Sequence, residues 1–269
     1  DLEHTNMDLP GAILATGGLM SLVYGLVKAP IDGWTSSTAL TFLGIAVAAI
    51  IAFLINESIT KHPLMPLRIF KIRNLSGANL LMLLMTAGMF SVFFFTTLYV
   101  QEVLGYSPVK TGFSFLIVPI FIAAVATNVP RVVMRIGYRP ILMVSPLVVA
   151  GGLFWLSQLP VHGHYWANLA PGLILMGIGM GATFVSVTIA ATSGVPGHES
   201  GLASGILNTA QQVGGSIGLA ILTGVATSAG TSYLKNLHLH AAPSHAAQLA
   251  AQVHGYDRGF LIASTFGVA

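Results

Sequence analysis

The segment Gly201 to Gly218, GLASGILNTAQQVGGSIG, sets Ser204, Asn208, Gln211, Gln212 and Ser216 among glycines in otherwise apolar surroundings. Neutral amides and hydroxyls can hydrogen-bond a ligand or a neighbouring helix, but they do not carry protons as carboxylates do. The chain has eight carboxylates, Asp1, Glu3, Asp8, Asp32, Glu57, Glu102, Glu199 and Asp257, each in a loop or at the end of an apolar run. None stands in the middle of a run, where an ionisable group would mark an ion path or a proton relay. The histidines His162, His164, His238, His240, His245 and His254 are irregularly spaced, with no cysteine in the chain and no close carboxylate cluster. They predict a solvated loop rather than a metal site. GIGMGA, Gly177 to Ala182, has the G-x-G-x-x-A form of a dinucleotide fingerprint, with Glu199 about 20 residues on. That motif needs a strand-to-helix turn, whereas Asn168 to Ala191 is one apolar run, so Gly177 and Gly181 are expected to serve close helix packing. His198, Glu199 and Ser200 are mere sequence neighbours, and a triad is recognised by geometry. With no constellation for hydrolysis, phosphoryl transfer or redox chemistry, an enzyme is not expected.

The elements that hold these residues are set by composition. Of 269 residues, 54% are hydrophobic and only 7% charged, against about 25% charged in a soluble domain. Charge-free runs cover residues 10–27, 37–56, 75–100, 111–130, 140–159, 167–191 and 201–228, and another begins near Gly259. A spanning helix needs about 20 apolar residues, and continuous rather than alternating runs argue against a strand barrel. The fold class is therefore an all-α integral membrane bundle. Seven of the eleven basic residues, Lys61, Arg68, Lys71, Arg73, Arg131, Arg135 and Arg139, fall in two loops that share one side by parity. That side is cytoplasmic by the positive-inside rule. The same dispersal among loops speaks against nucleic acid as a partner. The loop over 229–257 is expected outside, with SHAAQLAAQVHGY as a short amphipathic helix off the membrane. The polar start lacks an initiating Met and the end falls inside an apolar run, so the chain is expected to be a fragment of a longer protein.

The stretches DLPGAILATGGLMSLVYGL, PLMPLRIFKIRNLSGANL, FFFTTLYVQEVLGYSPVKTGFSFLIVP, RVVMRIGYRP, GLILMGIGMGATFVSV and GLASGILNTAQQVGGSIGLAIL occur in an order and spacing that resemble the fourteen-span drug:proton antiporter branch of the major facilitator superfamily. The third and the last of these are the most specific to that branch. The resemblance runs from about residue 8 to the end. It implies a cytoplasmic lead-in over 1–9, two inserted central helices over 10–56, a basic cytoplasmic loop over 57–74, and a C-terminal six-helix half over 75–269 whose last helix is truncated. In the superfamily's cytoplasmic loop motif, G-x-x-x-D-R-x-G-R-R, this chain keeps Arg135, Gly137 and Arg139. It has Pro130, Met134 and Tyr138 at the other named positions, which puts an Asp-centred charge network there in doubt. Arg131, Arg135, Gly137 and Arg139 are the gating candidates; orientation alone is the other reading.

The resemblance further implies proton-coupled export of small hydrophobic or amphipathic drugs by alternating access, with no cofactor and the proton gradient as energy source. Its antiporter signature belongs to the N-terminal half and cannot be matched to residues here. Export of one metabolite, lipid or siderophore on the same fold is the alternative, followed by a non-transporting scaffold or sensor. Expected partners are the bilayer, a small-molecule substrate and the missing N-terminal half; a periplasmic adaptor stays an open option. Location is expected in a bacterial inner or plasma membrane. Aromatic and Met side chains suit hydrophobic and cationic ligands. The cavity candidates are Asn79, Phe90, Phe94, Gln101, Met176, Met180, Phe184, Asn208 and Gln211. At 100° per residue Gly201, Ser204, Asn208, Gln211, Gln212 and Gly215 share one stripe, with Gln212 at its edge and more suited to packing. Gly201, Gly205, Gly214 and Gly218 have the spacing for close helix approach.

Overall fold

The computed structural model describes residues 8–60, 63–65, 67–193, 195–237 and 244–268. Lys61, His238, His240 and the first seven residues of the lead-in lie outside them. Among the described residues ten α-helices occur in order: α1 (Leu9–Asp32), α2 (Ser37–Ile59), α3 (Arg73–Leu98), α4 (Pro108–Phe115), α5 (Ile117–Ala126), α6 (Val129–Ile136), α7 (Arg139–Leu156), α8 (Ala170–Thr192), α9 (Ser200–Asn236) and α10 (His245–Phe266). There is no strand among the described residues. Asp8, Ser36, Ser107 and Ser244 each accept a backbone N–H at the start of α1, α2, α4 and α10, a cap worth about 1 kcal/mol.

Among the described residues seven helical segments are long and apolar enough to cross a membrane, and they coincide with the charge-free runs. One is broken in a way the sequence explains, and two carry a π turn at one end. The segment Pro108–Ile136 is divided into α4, α5 and α6. α4 ends at Phe115 and α5 ends at Ala126, each four residues before a proline, Pro119 and Pro130. A proline has no N–H for the carbonyl four residues back, and its ring presses on that carbonyl. A widened π turn, Tyr99–Val103, extends α3, and another, Tyr165–Leu169, leads into α8.

The helices after α2 close around one core. Met85, Phe95, Tyr99, Leu153, Leu173, Met176, Met180 and Phe260 meet there, drawn from α3, α7, α8 and α10 with the turn after α3. Buried Thr183 on α8 donates to Ser145 on α7 at 2.8 Å. A second cluster at the other end gathers Ile69, Leu75, Met82, Val187 and Leu207. The α1–α2 hairpin stands beside this body. Asp8 ties its two ends by accepting from Asn56 at 2.6 Å, and Glu57 accepts the Met65 N–H at 2.9 Å. The hairpin meets the rest through α1 against α9.

Two boundaries differ from expectation. α9 runs on to Asn236 rather than stopping near 228; at 1.5 Å per residue it is about 55 Å long, well beyond a hydrocarbon core of about 30 Å. The supposed short helix and the apolar run after it are one continuous helix, α10. Asp257 and Arg258 interrupt hydropathy there without interrupting backbone hydrogen bonding, and Tyr256 and Phe260 face the core.

The basic loops converge at one end. Arg68, before α3, forms an ion pair with Glu199, before α9. Asn74, in the first turn of α3, donates to the Tyr138 hydroxyl before α7 at 3.2 Å. Gly137 has φ +79°, a left-handed conformation that favours glycine, and it ends α6 so that the chain can turn into α7. At the opposite end Tyr99 donates to the Pro160 carbonyl at 2.8 Å and Trp155 to the Asn168 carbonyl at 2.8 Å.

Candidate functional site

α9 has two working faces. One packs on α3. A Cβ at Gly214 or Gly218 would collide with the backbone of Leu83 or Ala87, and one at Gly215 would lie 2.7 Å from the Phe90 ring. Small residues let these backbones approach. The other face lines three hollows at successive levels. Between α1 and α9 is a groove of about 610 Å³, walled by Leu19, Met20, Val23 and Tyr24 on one side and by Asn208, Thr209, Gln212 and Val213 on the other. Further along, Phe94, Ser216 and Thr223 border a hollow of about 170 Å³ with Leu26 and Ile31 of α1. Beyond it, Phe94, Thr223, Thr227 and Tyr256 border one of about 370 Å³ among α3, α9 and α10.

The chemistry of this face is apolar with a thin polar line. Most hydroxyls on it bond to their own helix: Thr209 donates to the Gly205 carbonyl at 3.0 Å and Ser216 to the Gln212 carbonyl at 2.9 Å. Thr223 differs, because its buried hydroxyl has no partner among the described residues. None of the amide side chains of Asn208, Gln211 and Gln212 hydrogen-bonds to a neighbouring helix among the described residues. The donors and acceptors of Asn208 and Gln212 are available to something else in the groove.

Of the expected cavity residues, Phe94 and Asn208 come to these hollows. Phe90 is 39% exposed and lies over Gly215. Gln211 lies on the α3 side of α9, on the face of Leu207, Gly214 and Gly218, and is half-buried. Gln212, expected at the stripe's edge and suited to packing, is exposed and lines the groove beside Asn208. Asn79 turns its amide back to the Leu75 carbonyl at 2.9 Å. Gln101 is half-buried in the π turn after α3. Met176 and Met180 are fully buried, at 0% exposure, so they do not line a cavity. The reason is close packing: α8 lies so near α7 that Met176 fills the space beside Gly152. Phe184 packs between the two core clusters.

The packing glycines also separate. A Cβ at Gly177 would lie 2.9 Å from Phe121, and one at Gly181 would lie 2.7 Å from the Ile122 carbonyl, so both admit α5. Gly201 and Gly205 meet nothing within 4 Å, so among the described residues no helix presses on that side of the first turns of α9. Arg131 bonds to Asn128 at 3.1 Å, Arg135 is exposed, and Arg139 stands with Arg73 in a separate pocket. Tyr24, Thr209 and Thr223 are site residues that sequence reasoning missed, and Ser216 was noted there without being placed in a cavity. The signal was the run of small polar residues along α9, which continues at helical spacing past Gly218.

Comparison with known proteins fits these features. Residues 8–219 match the sequence profile of the Major Facilitator Superfamily. The puromycin resistance protein pur8 of Streptomyces alboniger is 34% identical over 265 residues, covering 97% of this chain and 51% of that protein. The cephamycin export protein CmcT of Amycolatopsis lactamdurans is 35% identical over 231 residues, covering 85% and 47%. The multidrug transporter protein MdtP of Bacillus subtilis is 27% identical over 256 residues, covering 93% and 47%. The chain spans about half the length of the curated relatives it matches.

Proposed function

The chain belongs to the major facilitator superfamily, in its drug-export branch, and from that premise we propose that it forms one half of an exporter of small hydrophobic or amphipathic compounds in the plasma membrane. The half in question is the C-terminal one, α3 to α10, with α1 and α2 as the inserted pair. A six-helix N-terminal half completes the transporter, and the two rock about a site near the bilayer midplane. The proton gradient drives export, through carboxylates that this chain does not place at mid-span.

The observation that carries the reading is the hollow face of α9. Apolar walls from α1 and α3 take up the body of a ligand. Phe94 and Tyr24 can attract a cation through their ring faces. Asn208, Gln212 and Thr223 orient polar groups without a fixed charge, which suits ligands of varied structure better than a carboxylate would.

Ethidium binding by the purified chain in nanodiscs tests this directly. Phe94→Ala should weaken binding about tenfold, the scale of a lost cation–π and packing contact, whereas Phe154→Ala, on an exposed face of α7, should not change it. Equal loss in both variants would mean that the dye partitions onto any apolar surface. Expressed alone in an efflux-deficient host the chain should give no drug resistance. Joined to a six-helix N-terminal half it should export ethidium, and an uncoupler of the proton gradient should stop that export.

A further inference from the structure

At the basic end, a pocket of about 390 Å³ lies between α3, α7 and α8. Its rim carries Arg73 and Arg139, with Asn74 and Tyr138 between them, and its depth is lined by Gly77, Leu81 and Leu142. No acidic residue lines it. Among the described residues neither guanidinium is in an ion pair; the one arginine that is, Arg68, is taken by Glu199. The two arginines are 66 residues apart in the chain yet share one rim.

The apolar runs next to them fix their depth in the membrane. Arg73 lies just before the charge-free run from Leu75, and Arg139 directly before the run from Pro140. Each therefore stands where hydrocarbon gives way to headgroups, on the side that the positive-inside rule makes cytoplasmic. Both also open a helix, so the positive ends of α3 and α7 point to the same rim. A cationic rim at headgroup depth over an apolar floor matches a molecule with an anionic head and a hydrocarbon tail. A soluble anion would use the rim and leave the floor idle.

We propose that this pocket binds an anionic phospholipid of the cytoplasmic leaflet. The two guanidiniums bond to the phosphate oxygens, as arginine forks do. The Asn74 amide and the Tyr138 hydroxyl reach the headgroup, and the start of an acyl chain lies over Leu81 and Leu142. Basic pockets between spanning helices are suited to such heads. The proposal does not rest on the export reading, since it concerns a different end of the bundle.

The test measures lipid retention by the purified chain in native mass spectrometry, with thermal unfolding as a second reading. The probes are phosphatidylglycerol, phosphatidylcholine and inorganic phosphate. Phosphatidylglycerol should be retained and should raise the unfolding temperature more than phosphatidylcholine does. Arg73→Gln and Arg139→Gln should each lower its affinity about tenfold, the scale of a charge-assisted hydrogen bond. Lys71→Gln, the same charge change at an exposed neighbour outside the pocket, should lower it by less than about twofold. Gly77→Leu keeps both arginines and meets nothing within 4 Å at its Cβ, so it can fold while plugging the floor, and it too should lower affinity. Equal retention of the two lipids, an equal loss in Lys71→Gln, or unchanged affinity in Gly77→Leu overturns the proposal. Inorganic phosphate that stabilises the chain as well as phosphatidylglycerol also overturns it, in favour of a free-anion site.

Discussion

Helix α8 is gripped from two sides along its length, whereas α9 is gripped by α3 alone at Gly214 to Gly218 and by α10 only further on, at Ala226 and Gly230. On α8, Gly172 and Gly179 admit α7 while Gly177 and Gly181 admit α5. Met176 and Met180 fill the remaining space. On α9, Gly214, Gly215 and Gly218 admit α3, but the opposite face carries Asn208, Gln212 and Thr223 into open hollows. Both helices are rich in glycine and small residues, but α8 carries methionines where α9 carries amides. How closely a second helix packs at a given level decides whether the side chains there become filler or ligand contacts.

The sharpest way to break this contrast is to overfill the gripped face of α9. Gly218→Leu drives a side chain into the Ala87 backbone, which cannot move aside as a side-chain tip can. It should cost about 3 kcal/mol, seen as a large fall in unfolding temperature in detergent. A small fall would show that α3 and α9 are not held in contact. Next comes Met180→Ala in α8. In lipid the transfer contribution is small, but the cavity contribution remains, so a loss of about 2 kcal/mol is expected. Ethidium affinity should stay as it is; a selective loss of binding with stability intact would return Met180 to the cavity wall.

Gly205→Ala probes the start of α9, where a Cβ meets nothing. It should stabilise by up to about 1 kcal/mol through helix propensity. Destabilisation instead would reveal a helix pressed there. The smallest stability effect is expected for Gln212→Leu, within about 0.5 kcal/mol for an exposed position. The same variant should change ethidium affinity about threefold through the lost hydrogen bond. Unchanged binding of every tested compound would make the amide a bystander.

The spans were legible because hydropathy over about 20 residues depends on composition alone. α10 was legible only in part, since Asp257 and Arg258 lower its hydropathy while Phe260 and Ala263 still pack. The breaks at Phe115 and Ala126 could have been read from Pro119 and Pro130. Which face of a helix meets which neighbour was not legible, and this explains Met176 and Met180. An isolated helix shows its stripe but not the partner. Gln211 and Gln212 are adjacent in sequence and differ by about 100° around the axis, enough to send one toward α3 and the other into the groove. Arg73 and Arg139 meet only through the packing of α3, α7 and α8, which no local pattern encodes.

The α1–α2 hairpin leans on α9 through α1, and neither core cluster takes a residue from it. Such an arrangement makes the pair a separable unit of inheritance. A lineage can gain or lose it in one genetic event without repacking the two core clusters, and the groove and the hollow that α1 walls on α9 would change shape. The hairpin thus offers evolution a way to re-cut one wall of a binding surface while the main body of the protein stays as it was.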